Sequence, residues 1–167
     1  VFIGGASGTL VRMLKIPNST NYTGSIVIVR DSSGNLLSST INTVSTPSTR
    51  GDEVDLGTAG GEIWRSRNAL ATLPVFTNMP LLGKGSGQVI DIVFSGYKGD
   101  VMWVLQNDAN GNSRIIQDLS GSALGTDQKV IGSFTAPGNN GFKSIASCNP
   151  NFCTVVGNVH NSFGYVG

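Results

Sequence analysis

Short runs of apolar and β-branched residues, separated by turn residues, recur along this chain. The clearest example runs from Gln88 to Leu119 and predicts three strands joined by two turns. Val89–Phe94 and Val101–Gln106 are rich in β-branched and aromatic residues, and Ser113–Leu119 follows more weakly. The second turn contains Asn110-Gly111, a dipeptide in which both residues tolerate positive φ. This segment therefore predicts an antiparallel meander at the centre of the fold.

Side-chain alternation assigns faces to the first of these strands. Ile90, Ile92 and Phe94 are predicted to share one face, with Asp91 on the other. A strand of this kind is half-buried, because one face meets the core and the other meets solvent.

The second strand of the meander is apolar on both faces. Val101, Trp103 and Leu105 alternate with Met102 and Val104. Such a strand needs cover on both sides, from a second sheet, a loop or another subunit. We therefore predict Val101, Trp103 and Leu105 to be core or interface residues, and we expect at least a dimer in solution.

The remaining runs complete an all-β pattern. Further strands are predicted at Thr9–Ile16, Ser25–Arg30, Leu36–Val44, Thr72–Thr77, Gln128–Thr135, Phe142–Ser147 and Thr154–His160. The region Asp52–Asn68 fits either one or two helical turns or a short strand and a loop. Roughly ten strands at a spacing of about 8–12 residues are typical of a sandwich or barrel. The prediction is one domain, residues 1–167, with a jelly-roll or other Greek-key fold of about 8–10 strands and little helix.

The amino-acid composition argues against some classes of function but does not identify one. Of the 167 residues, 23 are glycine and only 13% are charged. The formal net charge is +1. A nucleic-acid surface is not expected, because phosphate neutralisation needs clustered Lys and Arg. The sequence contains no apolar run of the roughly 20 residues that a membrane-spanning helix needs. A weakly charged, turn-rich chain is typical of a protein that hides part of its surface in an assembly.

Candidate chemistry is sparse. His160 is the single histidine, and no G-x-S-x-G elbow accompanies it. A zinc cluster would need more ligands than two cysteines and one histidine. Asp52, Glu53 and Asp55 suggest a calcium site, although a solvated acidic loop is the preferred interpretation. We therefore predict that the protein is not an enzyme and uses no cofactor or metal.

Two further motifs suggest binding functions. Arg50-Gly51-Asp52 is the tripeptide that integrin ligands use, but three residues recur widely by chance. Trp64 and Trp103, with Tyr22 and Tyr97, suggest a sugar-stacking platform. Trp103 is expected in the core, which leaves Trp64 as the better candidate for exposure.

The two cysteines flank a predicted turn. Cys148 and Cys153 enclose Asn149-Pro150-Asn151, which is turn chemistry and would bring their Cα atoms near the ~5.5 Å that a disulfide requires. A disulfide within the chain is the favoured interpretation. A disulfide between two subunits and a pair of free thiols remain open alternatives.

In its length, composition and pattern of short strands, the whole chain resembles a single jelly-roll major capsid protein. The features that carry the resemblance are about ten short strands, little charge, and the doubly apolar strand Val101–Leu105. The family it resembles is the smaller of the two major capsid proteins of tailless, membrane-containing icosahedral bacteriophages of the Thermus phage type. The resemblance implies a virion location, homo-oligomeric capsomers, contacts with a larger sister capsid protein and an underlying lipid membrane. The alternatives are an extracellular carbohydrate- or receptor-binding module and an adhesin or pilus subunit.

Overall fold

A computed structural model describes most of the chain. The described residues are 1–47, 50–79, 81–82, 87–96, 101–119, 127–135, 141–149 and 152–156, and within them the side chains of 147–149, 152–153 and 156 are left out. The only helical element in these ranges is a single 3-10 turn at Ala6–Gly8.

The described strands form four antiparallel sheets. The N-terminal sheet contains β1 to β3, the second sheet β4 to β7, the third sheet β8 to β11, and the terminal hairpin β12 and β13. The strands are β1 Phe2–Gly4, β2 Leu10–Lys15, β3 Tyr22–Val27, β4 Ile41–Ser45, β5 Val54–Thr58, β6 Ile63–Ser66, β7 Thr77–Met79, β8 Gln88–Ser95, β9 Val101–Asn107, β10 Ser113–Asp118, β11 Gln128–Phe134, β12 Ser144–Asn149 and β13 Phe152–Val156. Each sheet contains only strands that are consecutive in the chain, so the sheets are meanders. The all-β sandwich predicted from the strand spacing is confirmed.

Three apolar clusters lie between successive sheets and show how the sheets stack. Leu10 and Val27 of the N-terminal sheet pack with Leu56 of the second sheet. A second cluster joins the second and third sheets, and a third cluster joins the third sheet to the terminal hairpin. The fold is therefore a layered sandwich in which the second and third sheets lie inside and the N-terminal sheet and terminal hairpin lie outside.

Asp91 of β8 ties three of these elements together. Its Oδ1 accepts a hydrogen bond of 3.1 Å from the Thr43 hydroxyl of β4. Its Oδ2 accepts 2.8 Å from the Ser144 hydroxyl and 3.1 Å from the Ile145 backbone N–H, both on β12. One carboxylate therefore fixes the second sheet, the third sheet and the terminal hairpin relative to each other.

The face assignment predicted for β8 is wrong at one residue. The register shifts between Val89 and Asp91, which is the mark of a β-bulge. Ile92 and Phe94 face the second sheet as a pair, but Ile90 packs on the opposite side, towards the terminal hairpin. A bulge inserts one extra residue and reverses the alternation, which strict period-two counting does not anticipate.

The region Asp52–Asn68 is a hairpin of β5 and β6, so its helical interpretation is wrong. Leu56 pairs with Trp64 across the hairpin, and both side chains face the N-terminal sheet. Gly57 faces the third sheet, where an added Cβ would lie 2.4 Å from a Val89 methyl group. The close approach of β5 to β8 therefore requires glycine at this position.

The same five-residue turn closes two different hairpins. Asp31–Asn35 and Asp108–Asn112 both read D-x-x-G-N. In each turn the aspartate Oδ1 accepts the backbone N–H groups two and four residues later, at 2.8–2.9 Å. The hydrogen bond from the Asn35 side chain is the main reason that the pKa of Asp31 is lowered, and Asn112 has the same effect on the pKa of Asp108. Both turns are therefore specified by local sequence alone.

Candidate interaction surface

The outer side of the N-terminal sheet carries an exposed apolar surface. Its residues alternate with those that face the core, and we call them the outer apolar face: Val1, Ile3, Val11, Met13, Tyr22, Ile26, Ile28 and Leu36. Strand register places them on one side, because Ile3 pairs with Val11 and Val11 pairs with Ile26. Leu36 lies beyond the end of β3, and its antiparallel bridge to Arg30 places it on the same side of the sheet.

Much of this surface is open to solvent. Val1 is 75% exposed, Ile26 76%, Leu36 65% and Ile28 63%. Their neighbours in the chain point inwards, and Val27 and Val29 are buried against the second sheet. A contiguous apolar patch on a soluble protein is typical of an interaction site, whereas apolar residues scattered singly need no explanation.

Of the two roles predicted for Val101, Trp103 and Leu105, core or interface, the structure shows the core role. Val101, Trp103 and Leu105 lie in the core between the third sheet and the terminal hairpin, and each is at most 6% exposed. The Trp103 indole N–H donates a 3.0 Å hydrogen bond to the Ser95 hydroxyl. The other face of β9 packs on the second sheet through Met102 and Val104. Since the chain itself covers both faces of β9, this strand gives no reason to expect a dimer.

The main residue of the predicted sugar-stacking platform is not at the surface. Trp64 was expected to be exposed, but it is buried in the cluster between the N-terminal and second sheets. Its indole N–H donates to Glu62 at 3.2 Å. Neither tryptophan is therefore placed to stack on a ligand at the surface.

A buried ion pair lies between the second and third sheets. Asp55 and Arg65 are paired directly across β5 and β6. The guanidinium donates to both carboxylate oxygens of Asp55, at 2.7 and 3.0 Å. Its Nε also lies 3.5 Å from a Glu53 oxygen. Met102 of β9 packs over the pair, with its sulfur 3.8 Å from Arg65 Nη2.

Burial and pairing act in opposite directions on these groups. Burial raises the pKa of Asp55 although the hydrogen bonds and charge of Arg65 oppose the shift. For Arg65, burial lowers the pKa, but the hydrogen bond to Asp55 and the negative charges of Asp55, Glu53 and Asp118 outweigh it and leave the pKa raised. Arg65 is therefore held charged within the protein interior.

These contacts revise the prediction for Asp52, Glu53 and Asp55. Asp52 is exposed, but Glu53 and Asp55 are buried, so the solvated-loop interpretation is wrong for both of them. Arg65 neutralises them from inside, while Arg50 contacts Glu53 from the surface at 3.2 Å. The described residues include no group of three or more acidic, cysteine or histidine side chains placed to hold a metal ion.

Two shallow clefts lie beside the Asp108 turn. One, of about 280 Å³, is lined by Arg114, Gln106 and Phe134 among others, and its neighbour, of about 390 Å³, by Gly60 and Gly87 among others. Polar side chains in these clefts form hydrogen bonds within the protein. Arg114 donates to Gln106 at 2.7 Å, and Gln106 donates to the Gly87 carbonyl at 2.6 Å. We therefore assign no ligand to these clefts.

The cysteine prediction falls largely outside the described residues. The backbones of Cys148 and Cys153 lie on β12 and β13, which form an antiparallel hairpin with a register shift next to Cys148. The two thiols are outside the description, and so is His160. The three alternatives for the thiols stay open.

The chain matches no protein-family model, and no curated protein or solved structure is significantly similar to it. Within the ranges that the structure covers, no helix is long and apolar enough to cross a membrane. The function is therefore argued from the surface described above.

Proposed function

We propose that this chain is a structural subunit of a protein shell, as viral capsid proteins are, and that the outer apolar face is where it meets a neighbouring subunit. The observation that carries the proposal is the concentration of exposed aliphatic side chains on one side of one sheet. An aliphatic sheet face suits subunit packing, whereas a binding module is expected to show an aromatic cluster beside a groove.

The exposed aliphatic area is large enough to matter energetically. Burying one aliphatic side chain completely contributes about 1.5–3 kcal/mol. Scaled by the exposed fractions of Val1, Ile3, Ile26, Ile28 and Leu36, full cover of this face contributes about 5–10 kcal/mol per subunit. Two such faces together offset the ~4–15 kcal/mol lost in translational and rotational freedom on association.

The layered core supports the same proposal. The inner strands β5, β6 and β9 are buried along their whole length. Asp91 fixes the second sheet, the third sheet and the terminal hairpin relative to each other. The N-terminal sheet, which carries the outer apolar face, packs on the second sheet through Leu10, Val27 and Leu56. A sheet that is already packed on a core loses less conformational entropy when a partner covers it than a flexible segment would.

The test is assembly itself. Analytical ultracentrifugation of the purified chain up to ~100 μM should show a mass above that of one chain, since association depends on subunit concentration. Mass spectrometry of purified virus particles from the source environment should find the same chain as an abundant component. A strictly monomeric chain that is absent from particles would refute the proposal.

A further inference from the structure

The terminal hairpin is attached to the other sheets without a backbone ladder. β12 pairs with β13, and the two strands form a sheet of their own. The N-terminal sheet, by contrast, is joined to the second sheet by backbone groups, since Ile41 N–H donates to the Gly5 carbonyl at 2.9 Å. Within the described ranges, no backbone-to-backbone hydrogen bond joins residues 141–149 or 152–156 to another sheet. The hairpin is therefore held through side chains.

Two of these side chains fix the point where the chain enters the hairpin. Phe142 N–H donates to the Ser113 hydroxyl at 2.8 Å, and the Asn107 amide donates to the Phe142 carbonyl at 2.8 Å. Ser113 and Asn107 pair across β9 and β10, and the Ser113 hydroxyl donates to Asn107 Oδ1 at 2.7 Å. All three residues are buried. Both backbone groups of Phe142 are thus satisfied in the interior, so this point is firmly held.

The attachment that follows depends on one carboxylate near the surface. Asp91 Oδ2 accepts hydrogen bonds from the Ser144 hydroxyl and the Ile145 N–H, at 2.8 and 3.1 Å. Ser144 is exposed, and Asp91 is partly buried. Among the described side chains of β12 and β13, Ile145 and Val155 are the two that pack with Trp103 in the third apolar cluster. Few contacts therefore hold the hairpin once the chain has passed Phe142.

We propose that the terminal hairpin is a cover that opens as one unit about Phe142, with Asp91 as its latch. Local opening occurs where few buried contacts hold a segment, and here no backbone ladder has to break. The ladders of β9 with β8 and β10 stay intact when the hairpin leaves. Opening uncovers the side of β9 that carries Trp103. The inference does not depend on the outer apolar face and goes beyond the proposed assembly function.

Amide hydrogen exchange on the full chain, followed residue by residue by NMR, tests the inference. A detached two-stranded hairpin is marginally stable, so its amides exchange when it opens. In the wild-type chain, the paired amides of β12 and β13 should exchange together and at least about 10-fold faster than those of β9. The Phe142 amide should stay protected like those of β9.

Two latch variants and a matched control extend the test. Asp91→Asn replaces the acceptor carboxylate, and Ser144→Ala removes one of its donors at an exposed position, where the fold is expected to be kept. Each should accelerate exchange of the hairpin amides about 10-fold or more, because hydrogen bonds to a charged group are the strong ones. The control is Thr43→Val, which removes the donor to the other oxygen of the same carboxylate. It should change exchange of the hairpin amides less than about 2-fold.

Three results would overturn the inference. Hairpin amides that exchange no faster than those of β9 would show that the hairpin opens only with the whole protein. Equal acceleration of every sheet by Ser144→Ala and Asp91→Asn would show that Asp91 acts on global stability. Loss of protection at Phe142 together with the hairpin would refute Phe142 as the point about which the hairpin opens.

Discussion

Removing the guanidinium of Arg65 tests the buried charge cluster most directly. Arg65→Met keeps an unbranched apolar stem, in a shorter side chain, but leaves Asp55 and Glu53 buried without their inner partner. Arg65 donates two hydrogen bonds, at 2.7 and 3.0 Å, to a carboxylate with no solvent exposure. Breaking a buried pair in this way costs about 3–5 kcal/mol. We therefore expect Arg65→Met to lose about that much free energy of unfolding at neutral pH.

The pH dependence gives the same experiment a second readout. Burial already raises the pKa of Asp55 above its ordinary value of 3.8, and loss of Arg65 should raise that pKa further. A carboxyl group with a raised pKa takes up protons on folding, so stability falls as pH rises from about 3.8 through the folded-state pKa. The deficit of Arg65→Met should therefore be largest at neutral pH and smaller near pH 4.

Urea denaturation followed by tryptophan fluorescence measures both effects, because Trp64 and Trp103 are both buried. The matched control is Arg67→Met. Arg67 lies 3.5 Å from Glu53, but its side chain is 54% exposed, so this change should cost less than about 1 kcal/mol. The double variant Asp55→Leu/Arg65→Met should recover part of the loss, since it removes the buried carboxylate of Asp55, while Glu53 keeps only its outer partners Arg50 and Arg67. Equal effects of Arg65→Met and Arg67→Met would refute the reasoning.

Three further predictions follow from individual contacts. Trp103→Ala should destabilise by about 3–5 kcal/mol in urea denaturation, and a loss below about 1 kcal/mol would contradict its core position. Gly34→Ala should cost about 1–2 kcal/mol of stability, because Gly34 has a φ of +86° but no atom lies within 4 Å of the added Cβ. Gly8→Ala should cost clearly more, because its Cβ would lie 2.0 Å from the Leu37 carbonyl oxygen. Equal melting temperatures of the two variants would contradict that contact. Thiol titration of the unreduced, denatured chain should find no free thiols if Cys148 and Cys153 are bridged, and two per chain would eliminate both disulfide alternatives.

Local chemistry made parts of this fold predictable from sequence. The D-x-x-G-N turns need only their own five residues, since the aspartate, the glycine and the asparagine satisfy the turn internally. The strands β9, β10 and β11 were predicted nearly to the residue, because β-branched runs between turn signals leave little choice of structure. The bulge at Ile90 and the hairpin of β5 and β6 were not predicted, because both depend on the neighbouring sheet.

The outer apolar face is the clearest feature that could not be predicted from the sequence. Ile26–Val29 and Val101–Leu105 are both apolar on successive residues, but only Val101–Leu105 was predicted to be covered on both faces. The pattern of apolar residues alone does not distinguish the two segments. Only the stacking of the sheets decided that β9 lies inside, between the second sheet and the terminal hairpin, while the N-terminal sheet is an outer layer with one face uncovered. Hydrophobic pattern is a property of neighbouring residues, whereas cover is a property of residues distant in the chain.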